Sequence, residues 1–180
     1  MKNEAYLAGG CFWCLDAAFR MVRGVDLVES GYAGGNNENP SYEEVGTGNT
    51  GHAETIRIVF DNQYISYKEI LEIFFALHDP TTLNKQGNDV GTQYRSAIFY
   101  LDEDQKKIAE DILIEVSKIW EDKVVTELVK LDKFYRAEEY HQDYFNKNPE
   151  SGYCQIIINP KLKKFKDSYS KYLKNWINNS

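Results

Sequence analysis

The stretch GGCFWC at residues 9–14 sets two of the chain's three cysteines, Cys11 and Cys14, three positions apart around Phe12 and Trp13. A thiolate is a nucleophile and a metal ligand, and C-x-x-C spacing lets two sulfurs pair within one helical turn. Gly9 and Gly10 separate a strand pattern from a helical one, which places Cys11 at a helix N-terminus. Unpaired amides and the helix dipole favour a thiolate there, so the sequence predicts a Cys11 pKa below the free value of about 8.5. Flanking aromatics suit a pocket around such a sulfur. Cys154, in NPESGYCQ, falls in a Pro- and Gly-bearing stretch that reads as a mobile loop, able to carry a third sulfur to a partner.

Oxygen-bearing residues form a second set. Glu54 opens ETIRIVF, and strand parity puts it on the side of Ile56, Ile58 and Phe60. A carboxyl at the rim of an apolar face loses solvation, its pKa rises, and it can hold a proton near neutral pH. Tyr42 in NPSYEEV and Tyr94 in GNDVGTQYRS each offer a hydroxyl to a ligand oxygen. Asp89 can orient a neighbour or simply make a turn. His78 and His141 read as structural.

Several chemistries fit the thiols from residue types alone. Both can be inert, buried small hydrophobes. A zinc site could draw on Cys11, Cys14, Cys154 and a histidine, with His52-Ala53-Glu54 as half of a deaminase pattern, but the order of the halves is reversed and the proline is missing. A cysteine hydrolase would need a histidine base and no reductant. A redox sensor would pair Cys11 with Cys14 without consuming a substrate.

The elements that must position these residues read as one domain of 180 residues, with 42% hydrophobic and 14% aromatic residues. A net charge of −7 argues against nucleic acid. The N-terminus does not resemble a signal peptide and no stretch is long enough to cross a bilayer. With an odd cysteine count, that suggests a reducing, cytoplasmic setting. Strands are expected over 4–8, 25–32, 54–60 and 95–100, and helices over 12–22 and from Ser66 to about His78, where Ser66 and Glu69 form a capping box. Long loops over 33–53 and 79–94 lie between them, long enough to be functional. The order βαββαβ predicts an α+β two-layer sandwich with a ferredoxin-like core. C-terminal additions follow: a helix over 103–120 capped by Asp102, a strand near 124–131, a helix near 137–147 and an amphipathic helix over 161–176. The last carries Leu162, Phe165, Tyr169, Tyr172 and Trp176 on one stripe, its lysines mostly on the other face.

Taken together and in order, GGCFWC, SGYAGG, PSYEEV, GHAE, HDPTTLNKQGNDVGTQYRSAIFY, AEEYHQDY and NPESGYC resemble the peptide methionine sulfoxide reductase A family over residues 5–160. The resemblance implies that Cys11 is the nucleophile, that Phe12 and Trp13 hold the substrate S-methyl group, and that Glu54 protonates the sulfoxide oxygen. It implies that Tyr42 and Tyr94 bind that oxygen and that Asp89 orients the substrate. It implies action on the S epimer of methionine sulfoxide, free or in proteins, with thioredoxin as reductant and no metal or organic cofactor. The chain is expected to act as a monomer. Many relatives have glycine at the position of Cys14 and a further cysteine in the tail, so either Cys14 or Cys154, or both in relay, can supply the second thiol.

Overall fold

The computed structural model describes residues 1–174. Trp176, assigned to the C-terminal stripe, lies outside them. Six strands form one sheet, β1 (Lys2–Gly9), β2 (Val25–Ala33), β3 (Ala53–Asp61), β6 (Ser96–Tyr100), β7 (Glu127–Lys130) and β8 (Phe134–Arg136), in the order β7-β6-β1-β3-β2-β8. Two short strands between β3 and β6, β4 (Lys85–Gln86) and β5 (Asp89–Val90), pair only with each other. All neighbours in the large sheet are antiparallel except β6 and β7, which run parallel. The mixed α+β character read from the sequence is present. The helix α1 (Phe12–Phe19) joins β1 to β2, and α3 (Tyr67–Leu77) lies between β3 and β6, so each spans a gap filled by one intervening strand.

Local sequence explains these elements. In β3 the residues Glu54, Ile56, Ile58 and Phe60 are all buried, as alternation requires. The Ser66–Glu69 capping box opens α3 with both reciprocal bonds, Glu69 N to Ser66 Oγ at 3.1 Å and Ser66 N to Glu69 Oε2 at 2.8 Å. The 17-residue α4 (Glu103–Ile119) starts on the Asp102 carboxylate, which accepts from Gln105 N at 2.8 Å. The main core joins Leu7, Phe12, Leu15, Phe19, Ile56, Ile58, Ile70 and Phe74, and burying each contributes about 1.5–3 kcal/mol. A smaller cluster of Tyr6, Ala8, Ala33, Ala53, Ala97 and Phe99 is covered by Leu131 and Phe134. At Gly31 a Cβ would sit 2.3 Å from the Phe134 ring and 2.5 Å from the Tyr135 carbonyl oxygen, so only glycine lets β8 close on β2.

Five expectations are corrected. The helix after Cys11 is shorter than 12–22 and ends at Phe19. The two long loops contain small elements: α2 (Tyr42–Gly46), opened by a second capping box at Ser41 and Glu44, and the hairpin of β4 and β5. No continuous helix spans 137–147. A short 3₁₀ turn at Glu139–His141 precedes α5 (Tyr144–Lys147), because Asp143 takes a left-handed backbone (φ 52°) and Glu138 and Gln142 spend their side chains on backbone groups elsewhere. NPESGYCQ is not an open loop: Cys154 begins a π-helical turn, Cys154–Ile158, that runs into α6 (Asn159–Ser168). Leu162 and Phe165 are buried as the stripe predicts, but the helix stops at Ser168. Among the described residues, no helix is long and apolar enough to cross a membrane.

Candidate active site

Gly10 has φ +94° and packs against Gln86, where a Cβ would lie 2.6 Å from Cγ. That turn delivers Cys11 as the N-cap of α1. The first amide of the helix, Phe12 N, donates to Glu54 Oε1 at 3.2 Å. A β3 carboxyl and an α1 sulfur therefore meet at one helix end. The amide bond lowers the Glu54 pKa, yet burial outweighs it, and Asp89 and Cys14 add to the rise, so Glu54 is pushed up to about 8.

Cys11 departs from the sequence expectation. Burial, a hydrogen bond to Cys14 and the Glu54 charge push its thiol up rather than down. A helix terminus is worth about 0.3–1 kcal/mol, rarely about 2. Removing a thiolate from water outweighs that help, so desolvation wins. Cys14 moves the other way, to about 7, because Cys11 hydrogen-bonds to it, with further help from Lys161.

Two loops bring the hydroxyls in. Thr92 Oγ1 donates to Gly48 O at 2.9 Å, Gln93 Nε2 to Gly46 O at 3.3 Å and Arg95 Nη2 to Gly51 O at 2.8 Å, which ties the Tyr94 loop to the Tyr42 loop. Burial raises both tyrosine pKa values, Tyr42 to about 12, and the Glu54 charge is the next cause for each. Both are hydrogen-bond donors at any physiological pH. Asp89 accepts from the Tyr153 hydroxyl at 3.0 Å, and that hydroxyl is 3.9 Å from Cys14 Sγ.

Aromatic rings pack around the two residues between the cysteines. Phe12 stacks with Tyr42 at 6.5 Å and lies 5.1 Å from His141. Trp13 lies face to face on Tyr144 at 3.7 Å and 5°, with Tyr153 edge-on at 5.5 Å. Trp13 Nε1 donates to His141 Nδ1 at 3.1 Å. Burial lowers the His141 pKa, so the ring is neutral, and with Nδ1 accepting, its proton sits on Nε2. That buried N–H has no partner among the described residues.

The structure thus gathers Cys11, Cys14, Phe12, Trp13, Tyr42, Glu54, Asp89 and Tyr94. It does not bring Cys154 in: that sulfur is buried in the main core, and all three cysteines are free thiols. Sequence reading missed Tyr153, Tyr144 and Glu138, and took His141 as structural. Glu138 accepts from Tyr32 Oη at 2.9 Å and Tyr42 N at 3.0 Å, which seats the Tyr42 turn. The available signal was AEEYHQDY, a dense polar-aromatic run. His78 is structural as read, bonded to Phe74 O and Ser96 Oγ. His52 engages the loop backbone through both nitrogens, with Gly35 N and Asn37 O.

Comparison with known proteins gives a consistent answer. The family model described as peptide methionine sulfoxide reductase matches residues 3–173. A Nitratiruptor protein named peptide methionine sulfoxide reductase MsrA is 53% identical over 173 residues, covering 96% of this chain and 99% of the relative. Mxr1 from Saccharomyces cerevisiae in reduced form aligns with a TM-score of 0.79 at 35% identity, covering 85% of this chain and 89% of Mxr1. A structure of Mxr1 in complex with Trx2 aligns at 0.56 and 25% identity, covering 79% and 84%.

Proposed function

Because the chain belongs to the peptide methionine sulfoxide reductase family and reduces methionine sulfoxide, we propose that Cys11, Glu54 and Cys14 carry that reduction in sequence. The observation that carries this reading is the Phe12 N–H bond to Glu54, which fixes a carboxyl of pKa about 8 at the helix end bearing Cys11.

The sulfoxide oxygen is a poor leaving group until protonated. Glu54, mostly a neutral acid at pH 7, supplies that proton. Tyr42 and Tyr94 hold the oxygen with hydrogen bonds that strengthen as its charge grows. The S-methyl group packs against Phe12 and Trp13. Cys11 keeps its proton until substrate binds and passes it to Cys14 as its sulfur attacks. The substrate S–O bond breaks, an S–O bond forms on Cys11, and methionine leaves with two electrons gained. Cys14 then displaces the sulfenic oxygen as water and forms a Cys11–Cys14 disulfide. Thioredoxin restores both thiols by exchange, a role supported by the Mxr1–Trx2 complex. The fixed handedness of the cage favours the S epimer of the sulfoxide, free or in proteins. Cys154 serves at most later, since it must leave the core first.

Single-turnover measurement of methionine release against pH tests this. The rate is expected to fall as pH rises through about 8, where Glu54 loses its proton, and that fall is expected to disappear in Glu54→Gln. A wild-type profile unchanged across that range removes Glu54 as the acid.

A further inference from the structure

Residues 138–144 hold two members of the aromatic cage, His141 and Tyr144, yet form little regular structure. Their placement comes from side chains. Gln142 is buried, and its carboxamide works as a substitute peptide group where β2 and β8 part. Ser30 N donates to Gln142 Oε1 at 2.9 Å, while Gln142 Nε2 donates to Ser30 O at 2.9 Å and Ala137 O at 3.0 Å. Ala137 N also donates to Ser30 O at 2.9 Å, so the amide is wedged into the end of the ladder that pairs Gly31 with Arg136. The neighbours on either side are then fixed. His141 accepts from Trp13. Asp143 lies 3.5 Å from Arg20 Nε, which also engages both oxygens of fully buried Asp16 on α1 at 3.0 Å. Tyr144 follows at once and stacks on Trp13.

We propose that Gln142 is a positioning residue for methionine sulfoxide reduction: its amide, bridging Ser30 and Ala137, locks His141 and Tyr144 onto Trp13 and so sets the width of the S-methyl pocket. The inference rests on Trp13 being a wall of that pocket. Gln142 touches neither sulfur, and it acts through the ring contacts of its neighbours.

Gln142→Leu keeps the volume and removes all three hydrogen bonds. With active sites counted from the methionine released in a single turnover without thioredoxin, KM for methionine sulfoxide is expected to rise about tenfold or more, the scale of a small misplacement in a site, while kcat per active site changes much less. Gln142→Met has a similar length, also lacks the three hydrogen bonds and should raise KM likewise, so it serves if the leucine variant does not fold. In a Trp13→Ala background the Gln142 substitutions should raise KM no further. Unchanged KM in the folded Gln142 variants, a loss confined to kcat, or full additivity with Trp13→Ala overturns the proposal. If Trp13→Ala itself leaves KM unchanged, the pocket reading falls. If Trp13→Ala raises KM and Gln142 does not, only this inference falls.

Discussion

Cys14 and Cys154 are equal candidates for the second thiol in the sequence, and the structure treats them in opposite ways. Cys14 sits one turn from Cys11 on α1, half-buried, accepting a hydrogen bond from it, with its pKa drawn down to about 7. Cys154 is fully buried at the start of a π-helical turn, with Ser151 Oγ accepting from its backbone N at 3.2 Å. Cys14 lies within reach of Cys11 while Cys154 is shut in the core, so placement separates two residues that composition could not. The link between them is Tyr153. Its hydroxyl reaches Asp89 and Cys14, while its chain neighbour is locked in the core.

This comparison can be broken at several points. The largest effect belongs to Cys11→Ser, which should abolish methionine production in a thioredoxin-coupled assay whichever partner thiol is left. Glu54→Gln should slow methionine release in a single turnover by about 10²–10⁴-fold, the range for a lost general acid. It should also raise thermal stability at pH 9. The folded Glu54 pKa of about 8 exceeds its unfolded value, so the native state holds the extra proton and loses stability as pH climbs from about 4.5 to 8. An amide escapes that loss, and a lower Tm for the variant at pH 9 would contradict the burial argument. Cys14→Ser should stop turnover after about one methionine per enzyme, with a trappable sulfenic acid left on Cys11, whereas Cys154→Ser should still close the first disulfide. The smallest effect is a control far from both sulfurs: Ser66→Ala should cost about 1 kcal/mol in denaturant unfolding with kcat unchanged.

The regular parts of the fold are legible because their signals are local. Ser66 with Glu69, Asp102 with Gln105, and the alternation of β3 each need only neighbouring residues. Glu54 is legible for the same reason, since strand parity fixes its face. The segment from β8 to α6 is not, because its course depends on bonds across the fold, from Glu138 to Tyr42 and from Gln142 to Ser30. A loop signature at NPESGYC does not reveal that Ile158, Leu162 and Phe165 draw Cys154 into the core. The lowered pKa expected for Cys11 fails because its helix-end position is visible in sequence while its desolvation is not.

The most direct test of the account is a disulfide map. The reduced protein would be treated with one equivalent of methionine sulfoxide without thioredoxin, quenched with acid and digested for peptide mass analysis. The account predicts a Cys11–Cys14 link with Cys154 still a free thiol. A first disulfide joining Cys11 to Cys154 would contradict it.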